Sequence, residues 1–400
     1  MGSSDIKLEG YVRHSITDIP STTWDACANP SNRPYNPFID HRFLAALEQS
    51  GCVSANTGWQ PFHIELRRQR STLGVIPMYL KSHSRGEFVF DGSWANAWYS
   101  AGGEYYPKLQ SSIPFTPATG PRLLTAQSGA RKLIESQLLG TMVQVTRKLK
   151  LSSAHITFMT KDQWDRAGEL GFLQRVDTQF HWYNAGYQTF EEFLADLSSK
   201  KRKNIRRERR DAMNQGISIE WITGSDLCEY HWDAFYDFYA DTGYRKWGQP
   251  YLNREFFSRI SEAMPHQTLL IMCRRGSKYI AGAINFIGGE TLYGRNWGCI
   301  EDHKFLHFET CYYQAIDFAI NRGLKTVEAG AQGGHKIARG YLPQPTYSAH
   351  YIVNDSFRDA VHRFLNEEKQ YVAHDIEYIE THSPFRHDVD LSEYRRQTKF

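Results

Sequence analysis

The sequence predicts an α/β (α+β) protein of two tandem domains, each a mixed, largely antiparallel sheet flanked by helices. Three observations carry that expectation. The chain has 400 residues, 41% apolar and 14% aromatic, enough to bury a large core and more than one domain usually holds. Two segments resemble each other: PFIDHRFLAALEQ from Pro37 and PYLNREFFSRISE from Pro250 match at Phe38/Tyr251, Ile39/Leu252, Asp40/Asn253, Phe43/Phe256, Leu44/Phe257 and Leu47/Ile260. After each, at a similar distance, comes a strand, an Arg-Arg turn and a strand: HIELRRQRSTLGVIPMYL, then TLLIMCRRGSKYIAGAINFI. The offset of roughly 210 residues suits tandem domains and is too long for a solenoid repeat. The alternative, chance similarity, is decided by superposing the halves.

The first domain is expected over 1–178. Its helix starts at Pro37, where a fixed φ suits the first helical turn. A long aromatic, Gly-rich and Pro-rich insert, 82–122, precedes a helix in SGARKLIESQLLGTMVQVTRKL and a strand in SSAHITFM. Loops of that length and composition are disproportionately functional. The second domain is expected over 179–400. Thr189 and Glu192 form a capping-box pattern leading into a basic helix, 199–214. After the helix at Pro250, the strands TLLIMC, YIAGAINFI and TLYGRNWG make a meander, with Gly288-Gly289 suited to its second turn. The helix FETCYYQAIDFAINRG ends on Gly323 as a left-handed cap, KTVEAG is the next strand, and a polar tail closes the chain.

Composition excludes several classes. MGSSDIKLEG has no apolar leader core, Ile6 breaks the myristoylation pattern, and no run reaches the roughly 18 apolar residues of a spanning helix. The six cysteines contain no C-x-x-C pair, which points to a reducing cytoplasm and no metal site. The net charge of +3 is uneven: KKRKNIRRERR, residues 200–210, holds eight basic residues and one glutamate, so it carries +7 and the remainder −4. A dense local cation patch on a slightly acidic body suits a local polyanion contact. The competing reading is a solvated helix face. Lys203, Arg206, Arg207 and Arg210 fall on one side at helical spacing, opposite a thin stripe of Ile205, Ala212 and Met213.

The stretch AGAQGGHKIARGY, 329–341, follows the strand directly and concentrates reactive groups. Acid–base chemistry needs a proton acceptor, and an anionic intermediate needs hydrogen-bond donors. Glu328 or His335 can serve as base, the Gly333 and Gly334 amides as oxyanion donors, and Lys336, Arg339 and Tyr341 as substrate contacts. A Gly-rich turn with structural hydrogen bonds from His335 and Arg339 is the alternative. In the first-domain insert, Lys108 and Tyr106 are candidates to bind an acceptor, or Lys108 closes a surface turn. Trp94, Trp98 and Tyr105 can line the same cleft or pack the core. Arg295 and Trp297, in GRNWG, fall on the opposite strand phase from Asn296, and either set can face the cleft.

The strings GGEYYPKLQ, PFTPATGPR, EAGAQGGHKIARGY and PTYSAH, within a stretch from about Trp59 to His350, resemble the FemAB-like family. Gly334 stands where that family pattern has Glu, so an acidic role there is excluded. The resemblance implies two tandem GNAT-like domains and an acyltransferase. GNAT enzymes bind the coenzyme A pyrophosphate on a glycine-rich strand–helix junction. Here the second-domain junction GCIEDHKFLHFE has one glycine and places Glu301 and Asp302 in that position, while RLLTAQSGARK in the first offers Gly129 and two cations. Fem-type enzymes instead use aminoacyl-tRNA. The implied function is amide formation from aminoacyl-tRNA onto the amine of a small-molecule or peptidic acceptor, with no bound cofactor and no metal. Lys200, Lys201, Arg202, Lys203, Arg206, Arg207 and Arg210 are then the tRNA contacts. The rival readings are an acyl-coenzyme A-dependent N-acyltransferase and a non-catalytic protein that binds cell-wall precursors or nucleic acid.

Overall fold

The computed structural model describes residues 8–330 and 333–397. The chain forms two compact units, Met1–Asp177 with Thr346–Val372, and Thr178–Pro345 with Ala373–Lys399. In order along the first stretch are β1 (Leu8–Arg13), α1 (Ser21–Ala28), α2 (His41–Gln49), β2 (Trp59–Pro61), β3 (His63–Arg68), β4 (Ser71–Ile76), β5 (Met78–Lys81), α3 (Gly92–Ser100), β6 (Lys108–Ser111), β7 (Leu124–Thr125), α4 (Arg131–Lys148), β8 (Ser153–Met159) and α5 (Lys161–Glu169). Then come β9 (Leu173–Tyr183), α6 (Phe190–Asp196), α7 (Ser199–Met213), β10 (Ile217–Thr223), α8 (Glu229–Trp247), α9 (Arg254–Ala263), β11 (Thr268–Arg275), β12 (Lys278–Ile287), β13 (Thr291–Cys299), α10 (Leu306–Phe308), α11 (Gln314–Asn321), β14 (Thr326–Glu328), β15 (Leu342–Ile352), α12 (Asp355–Thr381) and α13 (Ser392–Gln397).

The first unit pairs β1-β3-β4-β7 in one antiparallel sheet and β2-β5-β6-β8-β15 in another. β6 and β8 run parallel, and α4 lies in the crossover that joins them. Residues 346–372, which a linear reading gives to the second half, belong to the first unit because Tyr347–Ile352 of β15 pairs antiparallel with β8. In the second unit the order is β10-β11-β12-β13-β14-β9. Again one pair, β13 and β14, is parallel, joined by a crossover helix. Each unit thus repeats a meander, a helix and a parallel strand.

The matched helices have matched anchors. Phe43, Leu44 and Leu47 of α2 are buried, as are Phe256, Phe257 and Ile260 of α9. Their starts differ from the expectation. Pro37 opens only a single 3₁₀ turn, Pro250 lies in no helix, and the helices begin after Asp40 and Asn253. The Asp40 carboxylate accepts from the Arg42 N–H at 2.8 Å and the Asn253 amide oxygen from the Phe256 N–H at 3.0 Å. A side-chain acceptor satisfies a first-turn amide, which proline cannot do. The Thr189–Glu192 cap also differs in what it starts. Thr189 accepts from the Glu192 N–H at 3.2 Å, but the helix it caps, α6, ends at Asp196, and α7 begins afresh after Ser198.

Gly323, at φ +63°, ends α11 as expected, with the Leu324 N–H returning to the Ala319 carbonyl at 2.8 Å. Between α10 and α11 the helix widens into a π turn, Glu309–Tyr313. Such turns shift side chains off the regular helical stripe. Here the π turn carries Glu309, Tyr312 and Tyr313, which all reach the site below.

Candidate active site

The site of the second unit lies where β13 and β14 part. They pair only over Thr291–Tyr293 and Thr326–Glu328. Beyond that, β13 continues against β12 to Cys299 while the chain leaves β14 as the glycine-rich loop. Glu328, buried at the end of β14, stands opposite Tyr293 on one side and His181 of β9 on the other. Arg295 lies two residues further along β13, at the irregularity where the β12–β13 register shifts. Burial pushes its guanidinium down to about 10, and the Glu328 charge opposes that shift. His181 is kept neutral by burial, with Lys336 and Arg395 adding to the effect, and its pKa falls to about 3.

The loop itself closes as a 3₁₀ turn, Gly334–Arg339. Gly333 precedes it at φ +115°, and a Cβ there would stand 2.5 Å from Cε1 of His335. Only glycine fits that backbone, and its absent side chain makes room for the imidazole. His335 Nε2 and the Tyr312 hydroxyl share a hydrogen bond of 2.9 Å. Burial, then the Arg339 and Lys336 charges, hold the His335 pKa below its ordinary value, so the ring is neutral at pH 7. Lys336 is buried, donates to the Gly330 carbonyl at 2.9 Å, and has its pKa pushed down to about 8 by burial. Trp297 meets the His307 ring at 5.4 Å, His307 meets Tyr312 at 5.5 Å, and Tyr312 meets the buried Tyr341 at 5.5 Å. These contacts bring Trp297, Tyr341 and His335 into one aromatic cluster around Tyr312.

Arg339 faces inward. Its guanidinium lies 3.4 Å from the centroid of the Phe308 ring, donates to the His335 carbonyl at 2.7 Å, and donates to Glu208 of α7 at 2.8 Å. Its Nε–H has no partner. Glu208 also accepts from the Tyr313 hydroxyl. Next to it, Arg209 donates to Glu309 at 3.0 Å and to Asp317 at 2.5 Å. The inner face of α7, with Ile205 and Ala212 buried, is therefore tied to both the π turn and the loop.

The outer face of α7 is cationic. Lys200, Lys203, Arg206, Arg207 and Arg210 are exposed, and Lys201 and Arg202 are half-buried. Arg206 pairs with Glu191 and Arg210 contacts Asp211 at 3.3 Å, both pairs at the surface. At 100° per residue the five exposed cations cover about a third of the helix circumference, opposite Ile205 and Ala212.

In the first unit Lys108 is neither at the surface nor in a turn. It is fully buried on β6, across from Lys81 on β5, and donates to Ser84 and Glu87, each at 2.8 Å, and to Asp91. Tyr106 is half-buried, with its hydroxyl 2.7 Å from Ser84. The cluster continues through Tyr105 to Asp91 at 2.7 Å and through His155 to His350 at 2.7 Å. Trp94 packs edge-on against His350 at 4.9 Å and Trp98 stacks on Phe357 at 4.7 Å, so both pack inward.

Sequence reasoning passed over Glu208, Tyr312, Tyr313 and His181. Glu208 had a signal, being the lone acid in the cationic run. The π turn that aims the two tyrosines leaves no mark in the sequence. Among the described residues no group of three or more His, Cys, Asp or Glu is placed to hold a metal, and no helix is long and apolar enough to cross a membrane.

The sequence matches the profile of the FemAB-like family, described as peptidoglycan biosynthesis/recognition, over residues 15–387. No curated protein matches it in sequence. Among solved structures, FemX is similar at TM-score 0.55 and 13% identity, covering 86% of this chain and 98% of FemX. L-PGS from Bacillus licheniformis is similar at TM-score 0.50 and 8% identity, covering 83% and 98%. A tandem GNAT protein from the clavulanic acid biosynthesis pathway aligns at TM-score 0.42 and 9% identity, over 87% and 98%. At these identities the likenesses speak for fold, while the profile match spans most of the sequence. The two tandem GNAT-like units and that match make this chain a member of the FemAB-like family.

Proposed function

We propose that this protein is an N-acyltransferase that moves an aminoacyl group from aminoacyl-tRNA to the amine of a small-molecule or peptidic acceptor. The observation that carries the reading is the double-faced helix α7, whose outer stripe of exposed cations suits a phosphate backbone while its inner face holds the His335 loop through Glu208 and Arg339. Family membership and fold agree with acyl transfer.

In this reaction the acceptor nitrogen attacks the ester carbonyl, a C–N bond forms, and the C–O bond to the tRNA ribose breaks. His335, neutral at pH 7, takes the proton that the amine loses, and that proton passes to the departing ribose oxygen. In the tautomer that donates Nε2–H to the Tyr312 hydroxyl, Nδ1 keeps its lone pair for this task. Glu328 is the alternative base. The Gly333 and Gly334 amides are candidates for the oxyanion, and Lys336, Arg295 and the remaining Arg339 donor for anionic parts of the substrate.

The junction before α10 favours tRNA over coenzyme A as donor. Glu301 there is held ionised by Arg275 at 2.9 Å and His303 at 2.8 Å, with its pKa pushed down to about 2, so the junction carries a carboxylate where the coenzyme A loop of GNAT enzymes presents glycine N–H groups. In the first unit Arg131, beside Gly129, is committed to Glu135 and Asp162. The test is amide formation by the purified protein from radiolabelled aminoacyl-tRNA with a panel of amines, for wild type and His335→Ala. Equal product from both would remove His335 from the mechanism, and no transfer from any aminoacyl-tRNA would remove the donor.

A further inference from the structure

We infer that Glu208 is a positioning residue that pins the His335 loop to the helix on which the polyanionic donor docks, so that the His335 ring responds to what binds on the outer face of α7. The inference rests on the tRNA-donor reading. Glu208 is the one acid within a run of eight cations, and it points inward, away from the five exposed ones. Its side chain is 14% exposed and its partner Arg339 is 7% exposed. It takes a hydrogen bond from Arg339 at 2.8 Å and another from the Tyr313 hydroxyl.

From these two contacts the linkage runs to both sides of the imidazole. Arg339 donates to the His335 carbonyl at 2.7 Å, which fixes the backbone of the loop. Tyr313 sits in the same π turn as Tyr312, whose hydroxyl meets His335 Nε2 at 2.9 Å, which fixes the ring. Arg209, one residue along α7, grips the far end of that turn through Glu309 at 3.0 Å. A surface helix that only displays cations needs none of these inward ties. A π turn held at both ends is an element whose hydrogen bonding can readjust when α7 moves. A carboxylate that accepts from both the loop and the turn therefore sets their mutual register, and does so from the element that carries the phosphate contacts.

The experiment uses the full chain, labelled on its histidine rings, with uncharged tRNA as probe. His335 is assigned among the 16 histidines by the signal missing from His335→Gln. RNA affinity by fluorescence polarisation and the His335 ring signals by NMR are read together for wild type, Glu208→Gln and Glu208→Asp. Wild type is expected to bind tRNA and to shift the His335 signals on binding. Glu208→Gln should bind tRNA within about twofold of wild type and lose the His335 shift, while Glu208→Asp, which keeps the charge, should restore part of it. An unchanged shift in Glu208→Gln with tRNA bound would overturn the pinning role and leave the donor reading intact. Wild type that binds tRNA without any His335 shift would do the same. Wild type with no tRNA affinity would overturn the donor reading and the coupling with it. If Glu208→Gln does not fold, Arg339→Lys cuts the same linkage from the other side and is read by the same two signals.

Discussion

Replacing Lys203, Arg206 and Arg207 together by glutamine should flatten the salt dependence of tRNA binding without unfolding the protein. All three side chains are exposed on the outer face of α7, and the one ion pair lost, Arg206 with Glu191, lies at the surface where such pairs contribute little. From Lys200 to Arg210 the stripe spans roughly 15 Å at 1.5 Å rise per residue, long enough to follow several phosphates. Each neutralised phosphate adds about −0.7 to −0.9 to the slope of log affinity against log salt, so three lost contacts flatten it by roughly two to three. Between about 50 and about 200 mM salt, wild-type affinity should then fall roughly 20- to 40-fold further than that of the triple variant. Fluorescence polarisation with labelled tRNA at four or more salt concentrations measures both slopes. Equal slopes, or a triple variant weakened by the same factor at every salt, would refute the reasoning and leave α7 as a solvated face.

His335→Ala should abolish transfer with little change in thermal midpoint, since the ring is exposed and its one hydrogen bond is to the Tyr312 hydroxyl. Arg339→Ala should lose transfer and also about 3 kcal/mol of stability, because it leaves the largely buried Glu208 without its cation; denaturant titration separates the two variants. Gly333→Ala should destabilise the loop by about 1–3 kcal/mol and displace His335, given the positive φ and the 2.5 Å approach, and a wild-type rate in that variant would contradict the geometry. Lys336 carries its charge only below about pH 8, so affinity for an anionic substrate group should fall as pH rises through 8, and Lys336→Arg should remove that limb of the profile. In the first unit, Glu87 is raised from 4.5 to about 7 and Lys81 lowered from 10.5 to about 7. Between 4.5 and 7 the native state holds the Glu87 proton, so its contribution to stability falls with pH; between 7 and 10.5 the unfolded Lys81 holds one more, so its contribution rises. Urea midpoints should therefore show a minimum near pH 7 that Lys81→Met with Glu87→Leu removes.

What the sequence discloses depends on whether the cause is local. The meander β11-β12-β13, the Gly323 cap and the helix bounds of α7 follow from alternation, φ preference and charge spacing within a few residues. The matched anchors Phe43 and Phe256 are visible because the same amphipathic spacing recurs. By contrast, the fate of Lys108 is set by Glu87 and Asp91 from a loop about twenty residues earlier, and a buried salt-bridged lysine reads like any surface lysine in one dimension. Arg339 is similar: Gly-rich context suggests a substrate contact, whereas Glu208, far upstream, turns it inward. The pairing of 346–372 with the first unit is also a long-range effect, since β15 finds its antiparallel partner in β8.

The central claim is that the acyl donor is an RNA, and one assay tests it most directly. Purified protein is given, as sole donor, either aminoacyl-tRNA, aminoacyl-tRNA treated with RNase, or acyl-coenzyme A, each with the same amine acceptors. We expect amide product from intact aminoacyl-tRNA, loss of that product after RNase, and none from acyl-coenzyme A. Product from acyl-coenzyme A alone, with none from aminoacyl-tRNA, would contradict the account.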